Sequence, residues 1–238
     1  MTHGLRVAGT GLVSMGVGLL AFVMITVLHG DPFTALAASS QQTRLADQLD
    51  AAEATFEGGG SGEAVAPDPR LTRPDARRYR QELSRGDAAG RISIPAIGVS
   101  TVAVHGTSVE DLKAGPGFYP EAGFPGMGRP VGIAGHRTTY GAPFLDVDQL
   151  SAGDEVRLDM PYGRFVYRVT EVRIIAPTDW SILNIGAGFD EATRAAIAEG
   201  GDCPGGNCEH LVLTACHPKY SAAQRIAVFA TLDSVKVR

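Results

Sequence analysis

Two strand-like runs near the C-terminus limit the fold of this chain more than any other feature. His210-Leu211-Val212-Leu213-Thr214-Ala215-Cys216 is one, and Arg225-Ile226-Ala227-Val228-Phe229-Ala230-Thr231-Leu232 is the other. The loop 217–224 returns the chain, so the spacing predicts an antiparallel pair with Arg225 beside Cys216. Along a strand alternate side chains point to opposite faces, which puts Thr214 and Cys216 on one face and His217 on the other. A cation is thereby brought next to a thiol by geometry alone.

The rest of the 238-residue chain agrees with a β-rich core. Thirty glycines and fourteen prolines with only 20% charged residues imply many turns, and the length suits one domain with appendages. A net charge of −5 offers no basic footprint, so nucleic acid is not an expected partner. Strand patterning is read at 92–95, 99–104, 130–135, 154–160, 164–175, 209–216 and 225–235, with a hairpin turn at Pro161-Tyr162-Gly163. Short strands and few helices indicate a closed barrel or a sandwich. One helix interrupts them, N-capped by Asp190, running from Glu191 to Glu199 and stopped by Gly200-Gly201.

The N-terminus has a different character. Val7 to Leu28 is uncharged and largely apolar, as long as the ~20 residues a bilayer-crossing helix needs. Arg6 before it and Asp31 after it place the N-terminus inside and the remainder outside. A cleaved signal peptide is the alternative, because Ala35-Leu36-Ala37 resembles a cleavage site, but signal cores run about 7–15 residues. The expected layout is a cytoplasmic 1–6, a signal anchor at 7–28, an extracytoplasmic tether with short helices at 29–89, and a catalytic domain at 90–238. Within the tether, Leu45, Leu49, Ala52 and Phe56 recur at near-helical spacing before Gly58-Gly59-Gly60, 57–76 reads as extended, and a short charged helix is read at 76–85.

Outside the cytoplasm disulfides persist. Cys203 and Cys208 flank the turn-forming Pro204-Gly205-Gly206-Asn207, so a disulfide, two free thiols, and a metal site with His210 all stay open. Pairing those two leaves Cys216 as the odd thiol of the three cysteines, the one that needs a chemical role. Upstream, an apolar run ends on Gly135-His136-Arg137-Thr138-Thr139-Tyr140-Gly141. An imidazole lowers a thiol's pKa and protonates a leaving amine, and an arginine fork holds an oxyanion. His136, Cys216 and Arg225 are therefore the candidate catalytic set. His105, His210 and Thr139 are read as structural or surface residues, and Arg137 as a loop-fixing contact.

Gly132-Ile133-Ala134-Gly135-His136-Arg137-Thr138-Thr139-Tyr140-Gly141-Ala142-Pro143-Phe144 resembles the histidine motif of the sortases. Leu213-Thr214-Ala215-Cys216-His217-Pro218, with Arg225 nine residues beyond Cys216, resembles their cysteine and arginine motifs. Ile94-Pro95-Ala96-Ile97-Gly98-Val99 and Gly115-Pro116-Gly117-Phe118-Tyr119-Pro120 fit in the same order, and the likeness covers roughly Gly90 to Arg238. It is nearest to class E, the housekeeping group of high-GC Gram-positive bacteria, with class D the closest rival.

The resemblance implies an eight-stranded sortase β-barrel and a cysteine transpeptidase without a cofactor or metal. Cys216 would cleave an LPxTG-like sorting signal between Thr and Gly, LAxTG being the class E preference. His136 would act as acid and base, and Arg225 would hold substrate and oxyanion. A cell-wall precursor amine would resolve the thioacyl intermediate. Tyr119 resembles a tyrosine linked to the LAxTG preference, and Thr214 is the second candidate substrate contact. Expected partners are proteins bearing sorting signals, a peptidoglycan-precursor amine and the lipid bilayer. Two departures stand out: Val212 and Ala215 occupy places where the family carries hydroxyls, and 186–209 is longer than the usual connection. They keep two other readings open, a thiol hydrolase of the same fold and a catalytically weak surface-binding module.

Overall fold

The computed structural model describes residues 2–29, 31–56, 64–66, 68–199, 203 and 207–238. The glycine stops read at 58–60 and 200–201, and the turn at 204–206, lie outside the described residues. In chain order the elements are α1 (Thr2–His29), α2 (Pro32–Ala54), β1 (Ala64–Val65), α3 (Pro69–Glu82), β2 (Ala88–Ile94), β3 (Val99–His105) and α4 (Val109–Ala114). They continue with β4 (Gly117–Phe118), β5 (Val131–Ala134), β6 (Glu155–Met160), β7 (Gly163–Ile175), α5 (Glu191–Ala198), β8 (His210–His217) and β9 (Gln224–Val237).

Eight of these strands form a closed barrel in the order β9-β7-β6-β2-β3-β4-β5-β8, and β8 pairs back onto β9 to complete the ring. The short β1 adds to the outer end of β9 through Ala64 opposite Lys236. The hairpin read at Pro161-Tyr162 joins β6 to β7 with Met160 opposite Gly163, and Asp190 caps α5 by accepting from the Thr193 amide. The interior is filled by inward-facing side chains such as Ile92, Ile133, Phe144, Leu158, Leu213 and Val228. Period-2 alternation places the intervening residues outside. On β8 and β9, Val212, Ala227 and Phe229 leave the barrel core and form a separate apolar cluster with Ile182.

β8 starts from a buried carboxylate. Glu209, 2% exposed, accepts hydrogen bonds from the amides of Gly126 and Gly128, both at 2.9 Å, and from the Tyr167 hydroxyl at 2.7 Å. Gly126 sits at φ +84, and a side chain there would collide with Thr72, so this turn requires glycine. Burial pushes the Glu209 carboxyl up to about 7, against the pull of its three donors.

The N-terminal region departs from the expected tether. α2 begins at Pro32, more than three turns before the periodic apolar residues that start at Leu45, with Asp31 as N-cap accepting from the Phe33 amide at 3.0 Å. Ala38, Gln42, Leu45 and Leu49 share one face, and Leu45 and Leu49 bury against Ala88, Val102 and Val104 on the outside of β2 and β3. Gln42 satisfies its whole amide there. Its Nε2 donates to the carbonyls of Val102 at 2.9 Å and Ala114 at 2.6 Å, and its Oε1 accepts from the Val102 amide and the Thr101 hydroxyl, both at 2.8 Å. α3 begins at Pro69 rather than 76, and docks through Thr72, Ala76 and Tyr79, whose hydroxyl donates to the Ala88 carbonyl at 3.0 Å. Of the stretch 57–76 expected to be extended, the part from Pro69 onward is helical, while 57–63 and 67 lie outside the described residues.

The expected bilayer span, 7–28, falls within α1. Among the described residues no helix is long and apolar enough to cross a membrane.

Two outcomes follow from this packing. Leu49→Ala removes a fully buried side chain from the α2 interface and is expected to cost about 2–5 kcal/mol in denaturant unfolding, whereas a tether residue would cost nothing. Glu209 keeps its proton in the fold at pH values where the unfolded chain, with its carboxyl near 4.5, has released it. Its stabilising contribution is complete below that value and is lost as pH rises through about 7. The stability advantage of the wild-type chain over Glu209→Gln should therefore shrink between pH 5 and pH 8, as read by unfolding curves at both.

Candidate active site

The pairing of β8 with β9 is antiparallel, and its register sets Cys216 directly opposite Arg225, as the spacing predicts. Both lie on the outer face. Ala215 and Ile226 turn into the barrel core, so their neighbours Cys216 and Arg225 turn away from it. On the other side β8 runs parallel to β5, with Ala134 opposite Thr214, and the Gly135 amide donates to the Thr214 carbonyl at 3.0 Å. β5 therefore delivers His136 to the same end of the barrel as Cys216. Gly135 has a steric reason, since any side chain there would meet the buried ring of Phe144.

Cys216, His136, Arg225, Thr214 and Tyr119 all line one cavity of about 280 Å³ on the barrel wall. Its outer side is formed by the 178–183 turn, where Trp180 and Ile182 overhang the strands. Tyr119 donates or accepts a 2.8 Å hydrogen bond with the Thr214 hydroxyl, and the edge of its ring meets Trp180 at 5.9 Å and 89°. Burial pushes the Tyr119 hydroxyl up, opposed by that hydrogen bond, so it stays neutral. The two sequence-read substrate contacts thus support each other directly.

Arg225 donates through Nη1 to the carbonyls of Ala222 and Gln224, both at 3.0 Å. Among the described residues no carboxylate pairs with it, so its charge is not neutralised by a salt bridge. His136 Nε2 is buried without a hydrogen-bond partner, and its ring packs on Tyr140 at 5.0 Å. Burial lowers the His136 pKa, which favours the neutral ring in the free protein.

His217 and Arg137 take the roles read for them. Arg137 is 2% exposed and bridges Asp148 at 2.5 Å, the Leu145 carbonyl at 3.3 Å and the Cys216 carbonyl at 3.4 Å. Its Nη1 also meets His217 Nδ1 at 2.9 Å, and because arginine can only donate, that nitrogen accepts. Arg137 ties the histidine loop to the end of β8, and His217 is occupied away from the thiol. His210 is fully buried against Phe189, and His105 packs on Phe124.

Cys203 and Cys208 are bridged by a disulfide, so neither is a free thiolate for a metal, and Cys216 is the free cysteine. Among the described residues no group of three His, Cys, Asp or Glu side chains gathers to hold an ion. The replacements at Val212 and Ala215 follow from the packing of their neighbours. Val212 packs with Ile182, Ala227 and Phe229, and the Ala215 side chain packs in the barrel core, while Thr214 is the hydroxyl that β8 gives to the cavity. Trp180 and Ile182 escape the sequence reading; the available signal is that Trp180 is the chain's single tryptophan.

A closed β-barrel carrying a cysteine, a histidine and an arginine in one cavity of its outer wall defines the class of protein. The Sortase domain family matches residues 92–233, and the chain belongs to the sortase family. It is 29% identical over 133 residues to Sortase D of Bacillus subtilis, covering 56% of each chain. It is 27% identical over 108 residues to Sortase SrtE1 of Streptomyces coelicolor, covering 45% of this chain and 27% of the relative. Among solved structures, sortase E from Streptomyces avermitilis superposes with a TM-score of 0.52 at 29% identity, covering 65% of this chain and 93% of that one. The match to the Bacillus subtilis relative spans little more than half of that protein's length.

The burial of His136 has a measurable consequence. Its imidazole should titrate below the ordinary histidine value of 6.5, as followed by its ring proton resonances between pH 4 and 8.

Proposed function

We propose that this chain is a membrane-anchored cysteine transpeptidase acting on LAxTG or LPxTG-like sorting signals outside the cytoplasm. The observation that carries the reading is the β8–β9 register, which puts Cys216 opposite Arg225 in the cavity that His136 also lines. In the first half-reaction the neutral His136 ring takes the Cys216 thiol proton, the resulting thiolate attacks the threonine carbonyl carbon, and Arg225 holds the developing oxyanion. The Thr–Gly bond breaks as His136 gives its proton to the glycine amine. In the second half-reaction an amine of a peptidoglycan precursor attacks the thioester, His136 takes its proton, and Cys216 leaves as thiolate.

Tyr119 and Thr214 form the wall that would meet the alanine or proline two residues before the scissile threonine, with Trp180 beside it. The membrane anchor rests on α1, whose Leu12, Val13, Met15, Val17, Leu19, Leu20 and Met24 are all exposed on its surface. An apolar helix left bare on every side is stable in lipid rather than water. Arg6 before it and Asp31 after it orient the catalytic domain outward.

The test uses the full chain in detergent with LAxTG and LPxTG reporter peptides, with and without an added amine, followed by mass spectrometry. A Cys216 thioacyl adduct and an amine-dependent conjugate are expected. Hydrolysis products alone, unchanged by the amine, would convert the reading to a thiol hydrolase. A folded protein whose Cys216 is alkylated readily but that cleaves neither peptide would sink it. Cys216→Ala should form no adduct. Arg225→Lys should lower kcat/KM by about 10²–10³-fold, since a point charge replaces the fork and one oxyanion donor contributes about 2.7–4 kcal/mol.

A further inference from the structure

The loop that carries His136 does not hold its own shape. Tyr140, Gly141 and Ala142 lie at φ +52, +78 and +44, three successive left-handed residues of which only one is glycine. Non-glycine residues persist in that region only where the surroundings over-determine them. Part of the restraint is local, from the Ala142 amide to the Thr139 carbonyl at 2.9 Å and from the Phe144 amide to the His136 carbonyl at 3.0 Å. The rest comes from a segment a hundred residues away.

That segment is the first turn of α2. The Asp31 amide donates to the Thr138 carbonyl at 3.0 Å, and the Thr34 hydroxyl accepts from the Tyr140 amide at 2.8 Å. The same hydroxyl donates to the Asp31 carbonyl at 3.3 Å, so both of its functions are engaged. Ala38 and Ala142, both buried, lie beside this contact. Farther along, α2 stands off the loop and leaves a cavity of about 370 Å³, lined by Ala35, Gln42, Tyr140 and Pro143 among others. The connection between helix and loop is therefore carried by a few hydrogen bonds rather than by close packing. α2 itself is fixed by the four hydrogen bonds of Gln42 and by the burial of Leu45 and Leu49.

Tyr140 passes this restraint to the active site. Its ring lies against His136 at 5.0 Å and 39°, and the buried His136 Nε2 has no hydrogen bond of its own to orient the ring. We infer that Thr34 is a positioning residue for His136: it fixes the Tyr140 backbone, and the Tyr140 ring holds the imidazole in the cavity. The inference rests on the proposed role of His136 in acyl transfer, and it makes the N-terminal helix part of the catalytic machinery instead of a leash. A group placed this way should affect the chemical step and leave the affinity for the sorting peptide alone.

The test compares Thr34→Val, which keeps the shape and loses both hydrogen-bond functions, with Thr34→Ser, which restores them. Both are made in the full chain in detergent. Thr34→Val is expected to lower kcat for amine-dependent transfer by about fivefold or more, the worth of one hydrogen bond, with KM within twofold. Thr34→Ser should return kcat to near the wild-type value. A second readout needs no turnover: the His136 Cε1–Hε1 resonance, expected as a single line in the wild type, should broaden or split in Thr34→Val and recover in Thr34→Ser. Tyr140→Leu leaves the amide bond to Thr34 in place and removes the ring. It should disturb the same resonance, which covers the case of a Thr34→Val chain that does not fold.

An unchanged kcat and an unchanged His136 line in Thr34→Val would overturn the inference. So would an activity loss that Thr34→Ser fails to restore, because bulk rather than hydrogen bonding would then be at work. A wild-type chain that transfers no peptide would strike at the functional reading alone, since the resonance still decides whether Thr34 positions His136.

Discussion

The register between β8 and β9 is the constraint on which the rest of this molecule depends. A shift of one residue would turn every side chain of β8 to the opposite face, sending Cys216 into the barrel and Ala215 into the cavity. What resists such a shift is the inward set Leu211, Leu213 and Ala215, matched on β9 by Ile226, Val228 and Ala230. The outward set, Val212, Ala227 and Phe229, has its own cover in Ile182. Both faces of the strand are therefore specified, and the thiol's direction follows from the apolar packing of its neighbours. At the far end, Glu209 ties the start of β8 to the glycine turn at 126–128, which fixes the strand along its length as well as its face.

The active-site cavity is assembled from four separate parts of the chain, each supported by something outside itself. Cys216 and Arg225 come from one antiparallel ladder, and His136 from a strand parallel to it. The Tyr119–Thr214 pair spans from the β4 side to β8, and Trp180 closes over it from the β7–β8 connection. Arg137 anchors the histidine loop to the end of β8, while the first turn of α2 holds the loop from behind. A histidine with an unpartnered, buried Nε2 needs such external support, because no hydrogen bond of its own sets its direction.

Much of the site was legible from residue order because β-strand chemistry is local. Alternation identified which residues of β8 share a face, the loop length brought Arg225 to Cys216, and the odd cysteine stood out once two others were close enough to pair. The hairpin at Pro161-Tyr162 and the cap at Asp190 were readable for the same reason, since each depends on a few adjacent residues. Within 29–89 the helices are longer than the spacing shows, starting at Pro32 and Pro69, because the docking face of α2 is narrow and small-sided. Alanines and a glutamine reveal a docking surface only when the wall they meet is known, and the four bonds of Gln42 have no local signature.

By itself, the sequence determined seven of the barrel's eight strands, all but the two-residue β4, together with the pairing of Cys216 with Arg225 and the family resemblance, because these are written in spacing, alternation and motif order along the chain. The tertiary structure alone decided the rest. Thr214 brings a hydroxyl to the cavity while the Ala215 side chain packs in the barrel core, and Trp180 lines the cavity's outer side. Thr34 reaches the Tyr140 amide across 106 positions, since only a folded barrel brings the outside of β3, the start of α2 and the histidine loop within hydrogen-bonding distance of one another.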